Sequence, residues 1–257
     1  MLIDSHCHLT DERLLPEREA IVSSMSEDGL CALITVGYDR ESSLGGLAFA
    51  ETHAGVWCTL GVHPHDADKL DGETLSAFRT LAERDKVVAI GEIGLDYYYD
   101  LSPRDVQREA FARQIALADE CGLPMCLHVR DAYGDCLALL KENEGKLSHG
   151  VLLHCYSGSP EMVKEFSRFD GYFAFGGAIT FKNAKKNVES LSLVPRDRLL
   201  VETDCPYMTP VPYRGRTNFP RYVSLVADKV AEVLSLSREE VEEITTANTK
   251  RLFKKMK

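Results

Sequence analysis

Histidines and carboxylates recur at the ends of apolar runs in this chain, with spacings that follow the two-residue period of a β-strand. His6 and His8 close LIDSHCH (2–8), and His63 and His65 fall at the end of VWCTLGVHP (56–64). Glu92 lies late in VVAIGEIGLD (87–96). His128 and Arg130 end LPMCLHV (123–129), His154 lies in GVLLHCY (150–156), and Glu202 and Asp204 lie late in LLVETDCPY (199–207). Residues two apart on a strand face the same way, so His6 and His8 share one side while Cys7 faces the other. Such a pair offers two imidazoles to one metal ion, and histidine is the commonest metal ligand. Glu92, His128, His154 and Asp204 add nitrogen and oxygen donors, enough for two ions bridged by a carboxylate with positions left for water. Two ions about 3.5–4 Å apart can clamp the attacking and leaving oxygens of a phosphoryl transfer. One histidine in a strand is more often a packed core residue. Six such groups converging on one face favour a metal site, because buried unpaired carboxylates are costly.

The elements that must position these groups are strands followed by helices. LCALITVG (30–37) and GYFAFGGA (171–178) bring the strand-like runs to eight. Helical patterns lie between them, clearest over 102–122, with Ser102 as N-cap, Pro103 as first residue and Gly122 as stop. Ser159–Pro160 repeats that signal, 71–86 reads as another helix, and 221–253 reads as a long helix, a break and a closing helix. No linker or composition shift divides the chain. The reading is a single (β/α)8 TIM barrel over 1–257, with a doubly wound open sheet as the alternative. In either fold the ligand face lies at the strand C-termini, where five of the eight histidines fall before His65 is counted.

With 257 residues, 44% hydrophobic and 27% charged, the chain has the composition of a globular protein with a large core. A formal net charge of −10 excludes binding of nucleic acid by bulk charge, though not metal-assisted phosphodiester chemistry. No 18-residue apolar run marks a membrane helix, and the start at Met1 shows no leader, so a cytoplasmic protein is expected. The 8 cysteines form no CxxC pair and are expected to be free thiols, with Cys7, Cys155 and Cys205 as small buried residues inside strands.

In order and spacing, SHCH, GVHPH, GEIGLDYY, LHVRDA, HCYSG and ETDCPY resemble the TatD family of metal-dependent deoxyribonucleases, from residue 4 to residue 207. YRGRTNFP (213–220) is a weaker match. The resemblance implies a TIM-barrel hydrolase with two divalent ions. His6, His8 and Asp204 would hold the first ion, Glu92 would bridge, and His128 and His154 would complete the second. Asp204 would orient or deprotonate the attacking water, and His63 would lie near the substrate phosphate. Where the family often has Glu after Asn in the last motif this chain has Phe219, so a substrate role for that loop is not carried over.

The implied activity is hydrolysis of DNA, as a 3′-5′ exonuclease on single strands without sequence specificity. The alternative is hydrolysis of an ester or amide, as by a D-aminoacyl-tRNA deacylase or an amidohydrolase. A non-catalytic binding protein is disfavoured because every ligand position holds a competent residue. Mixed imidazole and carboxylate donors suit Zn, Mn, Fe or Co, while the family's chemistry is usually described with Mg. Arg130 would bind phosphate or form a structural ion pair. Lys182, Lys185 and Lys186 would be a phosphate-binding patch or a solvated helix start. Tyr97, Tyr98 and Tyr99 would stack on bases or pack the loop, with packing preferred for at least two. The tail KRLFKKMK reads as a frayed, solvated end, and the protein as a monomer or weak oligomer.

Overall fold

Strands buried on both faces read as nearly continuous apolar runs, and parallel neighbours need helical crossovers between them. Both features organise the computed structural model, which describes residues 1–256. The strands are β1 (Leu2–Cys7), β2 (Leu30–Thr35), β3 (Val56–Leu60), β4 (Val87–Asp96), β5 (Met125–Arg130), β6 (Val151–Leu153), β7 (Gly171–Phe175) and β8 (Leu199–Val201). All seven adjacent pairs are parallel, and the sheet runs in sequence order. Around it lie α1 (Arg18–Ser24), α2 (Arg40–Thr52), α3 (Gly72–Leu81), α4 (Arg104–Cys121), α5 (Tyr133–Glu142), α6 (Pro160–Ser167), α7 (Lys185–Leu193), α8 (Val223–Leu234) and α9 (Arg238–Leu252). This is the expected (β/α)8 barrel, and the open sheet is excluded by how its edges meet.

Between β8 and β1 the regular ladder gives way to individual bonds. Cys7 and Cys205 form an isolated parallel bridge. His8 donates its N–H to Cys205 O (2.8 Å), and Asp204 donates its own to His6 O (2.9 Å). Ser5 Oγ donates to Val201 O (3.0 Å). Below them the buried Asp4 carboxyl accepts the Thr203 N–H (2.9 Å), with the Thr203 hydroxyl 2.5 Å from its other oxygen. The bonds that close the barrel therefore also fix His6, His8 and Asp204 relative to one another.

At two of the four register shifts in the sheet, one strand spends a residue more than its partner beside the site. From Asp4 to Cys7, β1 spends three steps while β2 spends two from Leu33 to Thr35. From Ile90 to Ile93, β4 likewise spends three against two in β5. Bulges of this kind re-aim side chains beside functional sites. These fall at His6 and at Glu92. Just past the second, Gly94 (φ +138) lies where a Cβ would meet His128 O at 2.1 Å, so only glycine lets β4 approach the backbone of His128.

Two apolar cores result, one between the sheet and the helices and one inside the barrel. Leu252, Phe253 and Met256 join the interior core, packed with Ile3, Val88 and Leu200. The expectation of a frayed tail is thus wrong up to Met256, Lys257 lying outside the described residues; its apolar residues bury against the barrel, Lys250 and Lys254 are exposed, and Lys255 donates to the carbonyls of Ala82 and Arg84. Ser102 does not cap α4. Pro103 holds the cap position, and the Ser102 hydroxyl donates instead to His65 O (2.9 Å). Gly122 ends that helix in the left-handed region, as expected. Several strands end sooner than the apolar runs suggest, β6 at Leu153 and β8 at Val201. The chain keeps its direction there because His154 N–H still reaches Leu127 O (3.2 Å) and Glu202 N–H reaches Phe175 O (3.1 Å). Cys155 consequently lies beyond β6 at φ +41, only part-buried, whereas Cys7 and Cys205 are buried; all eight thiols are free. Among the described residues no helix is long and apolar enough to cross a membrane.

Burial pushes the Asp4 carboxyl up to about 8, against the opposing pull of the Thr203 hydrogen bonds. A carboxyl that binds its proton more tightly in the folded chain adds stability below its unfolded pKa, which is lost as pH rises through the folded one. Replacing Asp4 with Asn removes that slope. In chelator, the stability of the Asp4→Asn protein relative to wild type is expected to rise steadily from pH 4 to pH 8 in urea titrations. Parallel curves would contradict a proton on Asp4.

Candidate metal centre

Every strand end that the sequence pattern singles out contributes to one cluster, with the Glu92 carboxylate in the middle. Its two oxygens face different partners. On one side Oε2 lies 3.4 Å from His6 Nε2 and 3.8 Å from His8 Nε2, and Asp204 Oδ1 lies 3.3 Å from His8 Nε2 and 3.8 Å from His6 Nε2. On the other side Oε1 lies 2.9 Å from His128 Nδ1 and 2.8 Å from His154 Nε2. The ring nitrogens of each pair are close as well, at 3.2 Å for His6 and His8 and 3.3 Å for His128 and His154. Ligands about 2.1 Å from a shared ion stand about 3.0–3.4 Å apart. The donor set therefore fits one divalent cation on each side of Glu92.

The protons point the same way. His128 Nε2 lies 3.0 Å from Asp96 Oδ2, which can only accept, so that nitrogen carries a proton; Nδ1, 2.9 Å from Glu92 Oε1, holds a second proton without a cation and would present a lone pair once one is bound. His8 Nδ1 and His154 Nδ1 are buried without a hydrogen-bond partner among the described residues. Burial opposes charge on all of these imidazoles. The Asp204 hydrogen bond and Glu92 nevertheless lift His8 above its ordinary pKa, Asp96 and Glu92 lift His128, and Glu92 and Glu202 hold His154 well above it. Burial and the nearby His154 keep His6 low. Burial would raise Glu92 and Asp204, but the surrounding imidazoles hold Glu92 well below the carboxylate range and His8 with its neighbours draws Asp204 down. Without a cation, protons on His8, His128 and His154 offset the buried negative charge.

Asp96 was not singled out by sequence, although it shares the face of Glu92 four residues earlier in the same strand. It is fully buried and takes His65 Nε2 (2.9 Å) and His128 Nε2 on one oxygen and the N–H groups of Tyr98 (3.0 Å) and Tyr99 (2.8 Å) on the other. These contacts outweigh the burial that would raise it and keep it well below the usual range. Glu202, noted in the sequence only for its shared face with Asp204, accepts the Cys155 N–H (2.5 Å) and stands 3.4 Å from His154 Nδ1, an ion contact rather than an aligned hydrogen bond.

His63 caps the 3-10 helix Pro64–Lys69, its Nδ1 accepting the His65 N–H (3.2 Å). Its remaining proton must therefore sit on Nε2, 3.6 Å from Glu92 Oε1. Burial and His128 hold its pKa well below the ordinary value, so it is a neutral donor aimed at the centre rather than a free lone pair. Arg130 forms no ion pair among the described residues and lies over the rings of Tyr98 and Tyr99. Only Tyr97 packs, half-buried with its hydroxyl donating to Asp135 (2.8 Å); Tyr98 and Tyr99 are exposed, against the expectation that at least two would pack. Asp96 accounts for this, because capturing both N–H groups turns the chain outward. Lys182 lies before α7 while Lys185 and Lys186 open it, and all three are exposed. Phe219 packs at the edge of the core, while its neighbour Asn218 is buried and ties the carbonyls of Thr203 (2.9 Å) and Tyr207 (2.6 Å), holding the loop after Asp204.

Residues 3–254 match the family described as TatD related DNase. YabD of Bacillus subtilis strain 168, described as an uncharacterized metal-dependent hydrolase, is 43% identical over 99% of each chain. The 3′-5′ ssDNA/RNA exonuclease TatD of Enterobacter lignolyticus is 35% identical over 98% of each. Among solved structures, YJJV, a TatD homologue from Escherichia coli K12, superposes with a TM-score of 0.92 at 29% identity over 98% of both chains.

Exchanging Asp96 for Asn removes the charge that orients His128 and is expected to weaken Mn binding roughly 10- to 100-fold in calorimetric titrations. Unchanged affinity would contradict this role. In the wild type, the protons on His8, His128 and His154 must leave as metal enters, so affinity falls as pH drops through their raised pKa values. Titrations in buffers of different ionisation enthalpy read those protons directly; no proton release would refute the assignment.

Proposed function

The chain belongs to the TatD-related DNase family of metal-dependent hydrolases, and on that premise we propose that it cleaves phosphodiester bonds in single-stranded DNA from the 3′ end. The observation that carries the reading is the division of Glu92, one oxygen toward His6 and His8 and the other toward His128 and His154. His6, His8 and Asp204 would hold one divalent ion, His128 and His154 the other, and Glu92 would bridge them. Mg, Mn or Zn bound there would supply Lewis-acid stabilisation of phosphate oxygens and a water of lowered pKa. All six residues come from one chain, so a monomer suffices, and the whole barrel acts as one catalytic domain.

The remaining work falls to the protein's own groups. Asp204 is ionised at neutral pH and can take the proton of the attacking water on its second oxygen, so that an O–P bond forms as the bond to the leaving oxygen breaks and that oxygen takes up a proton in turn. Glu92 stays ionised and holds both sets of imidazoles in place. His63 can donate its Nε2 proton in a hydrogen bond to a phosphate oxygen. Arg130, which has no carboxylate partner among the described residues, can offer planar donors to the same group. None of these groups reads a base edge, which favours cleavage without sequence specificity. The exonuclease named among the relatives supports the substrate and the direction.

An end-labelled single-stranded oligonucleotide, incubated with Mg, Mn or Zn or with chelator, tests this. The account predicts a ladder shortening from the 3′ end, dependent on metal, and slowed at least about 100-fold by Asp204→Ala. Intact substrate with every metal, in protein that holds its ions, would assign the centre to esters or amides instead.

A further inference from the structure

Tyr98 and Tyr99 are 58% and 54% exposed, a large aromatic surface left to water beside a buried polar centre. Their rings meet edge to face with centroids 5.0 Å apart. The Arg130 guanidinium carbon lies 3.9 Å from the centre of the Tyr98 ring and 4.7 Å from that of Tyr99. Tyr99 also stands edge to face with His65 at 5.4 Å, and His65 with His63 at 4.2 Å, so the aromatic surface continues to the donor facing Glu92. One carboxylate fixes both ends. Asp96 holds the Tyr98 and Tyr99 backbone on one oxygen and the His128 and His65 rings on the other.

A surface built in this way suits a particular chemistry. Every nucleobase has a π-face, and stacking on aromatic or guanidinium planes holds single strands without reading sequence. An arginine already seated on tyrosine faces has lost rotamer freedom and can turn its edge donors toward a phosphate. We propose that Tyr98, Tyr99 and Arg130 form a strand-holding platform, on which a base of the nucleic acid stacks while Arg130 grips the neighbouring phosphate. The proposal rests on the nuclease reading and adds to it a determinant for unpaired strands, since a paired base hides its faces in the duplex stack. Tyr98 and Tyr99 are positioning residues; neither touches the reacting atoms.

The test compares wild type with Tyr98→Ala/Tyr99→Ala on two oligonucleotides, one normal and one with abasic residues at its 3′ end. For wild type, KM is expected to be about tenfold lower on the normal strand. The double variant is expected to lose that preference, with kcat altered much less and KM on the abasic strand raised only by the smaller share that the seating of Arg130 contributes. Tyr98→Phe/Tyr99→Phe should restore the preference, because the rings rather than the hydroxyls do the stacking. Equal losses on both strands, or no loss on either, would overturn the platform. Fluorescence anisotropy of the labelled normal strand on metal-loaded protein separates this proposal from the nuclease reading. Wild type that binds without cutting refutes the nuclease reading alone, and weaker binding by the alanine variant then still upholds the platform. Wild type that does not bind, or an alanine variant that binds as tightly, overturns it.

Discussion

A buried carboxylate surrounded by lone pairs is the constraint on which this molecule depends. Glu92 is almost wholly removed from water, and five imidazole nitrogens and a second carboxylate lie within a few ångströms of it. Hydrogen bonding within the protein cannot satisfy so many acceptors, and desolvated charge is expensive unless it is compensated. Cations must therefore enter, as protons on three histidines or as metal between the two sets of donors. Such a centre is kept for its chemistry, since well-packed apolar residues in the same space would stabilise the barrel at least as well.

The scaffold bends to that demand at identifiable places. The extra residue in β1 and in β4 occurs where His6 and Glu92 must turn inward. The seam from β8 to β1 is stitched by the backbone groups of His6, His8, Asp204 and Cys205, so closure of the barrel and assembly of half the centre are one event. On the other half, Asp96 orients His128 from behind and shapes the exposed tyrosine loop in front. Stability and function thus share the same hydrogen bonds, and a change at the seam acts on both.

Much of this was legible in the residues. Runs of Val, Ile and Leu separated by amphipathic stretches are the direct trace of strands buried on both faces, and eight of them specified the barrel. The two-residue spacing of His6 and His8 carried the direction of their side chains, whereas Glu202 and Asp204 lie past the end of β8, with Asp204 at φ +56, and face different histidines. What escaped was set by partners distant in sequence. Asp4 and Asp96 look like ordinary acids in apolar runs, and only the neighbouring strand reveals Thr203 behind one and His65 with His128 behind the other. The tail departs from its sequence pattern for a similar reason. Its lysines dominate its composition, whereas its fate is decided by three apolar residues that fit the interior core. Strand ends were overextended because the apolar pattern outlasts regular pairing wherever the chain turns its side chains into the centre.

The central claim is that Glu92 joins two ions. Electron paramagnetic resonance of chelator-stripped protein reloaded with two equivalents of Mn tests it most directly, because ions sharing a carboxylate are magnetically coupled. The account predicts a coupled spectrum in wild type that collapses to that of isolated ions, bound more weakly, when Glu92 is replaced by Ala. Isolated ions in the wild type, or coupling that survives the loss of Glu92, would contradict it.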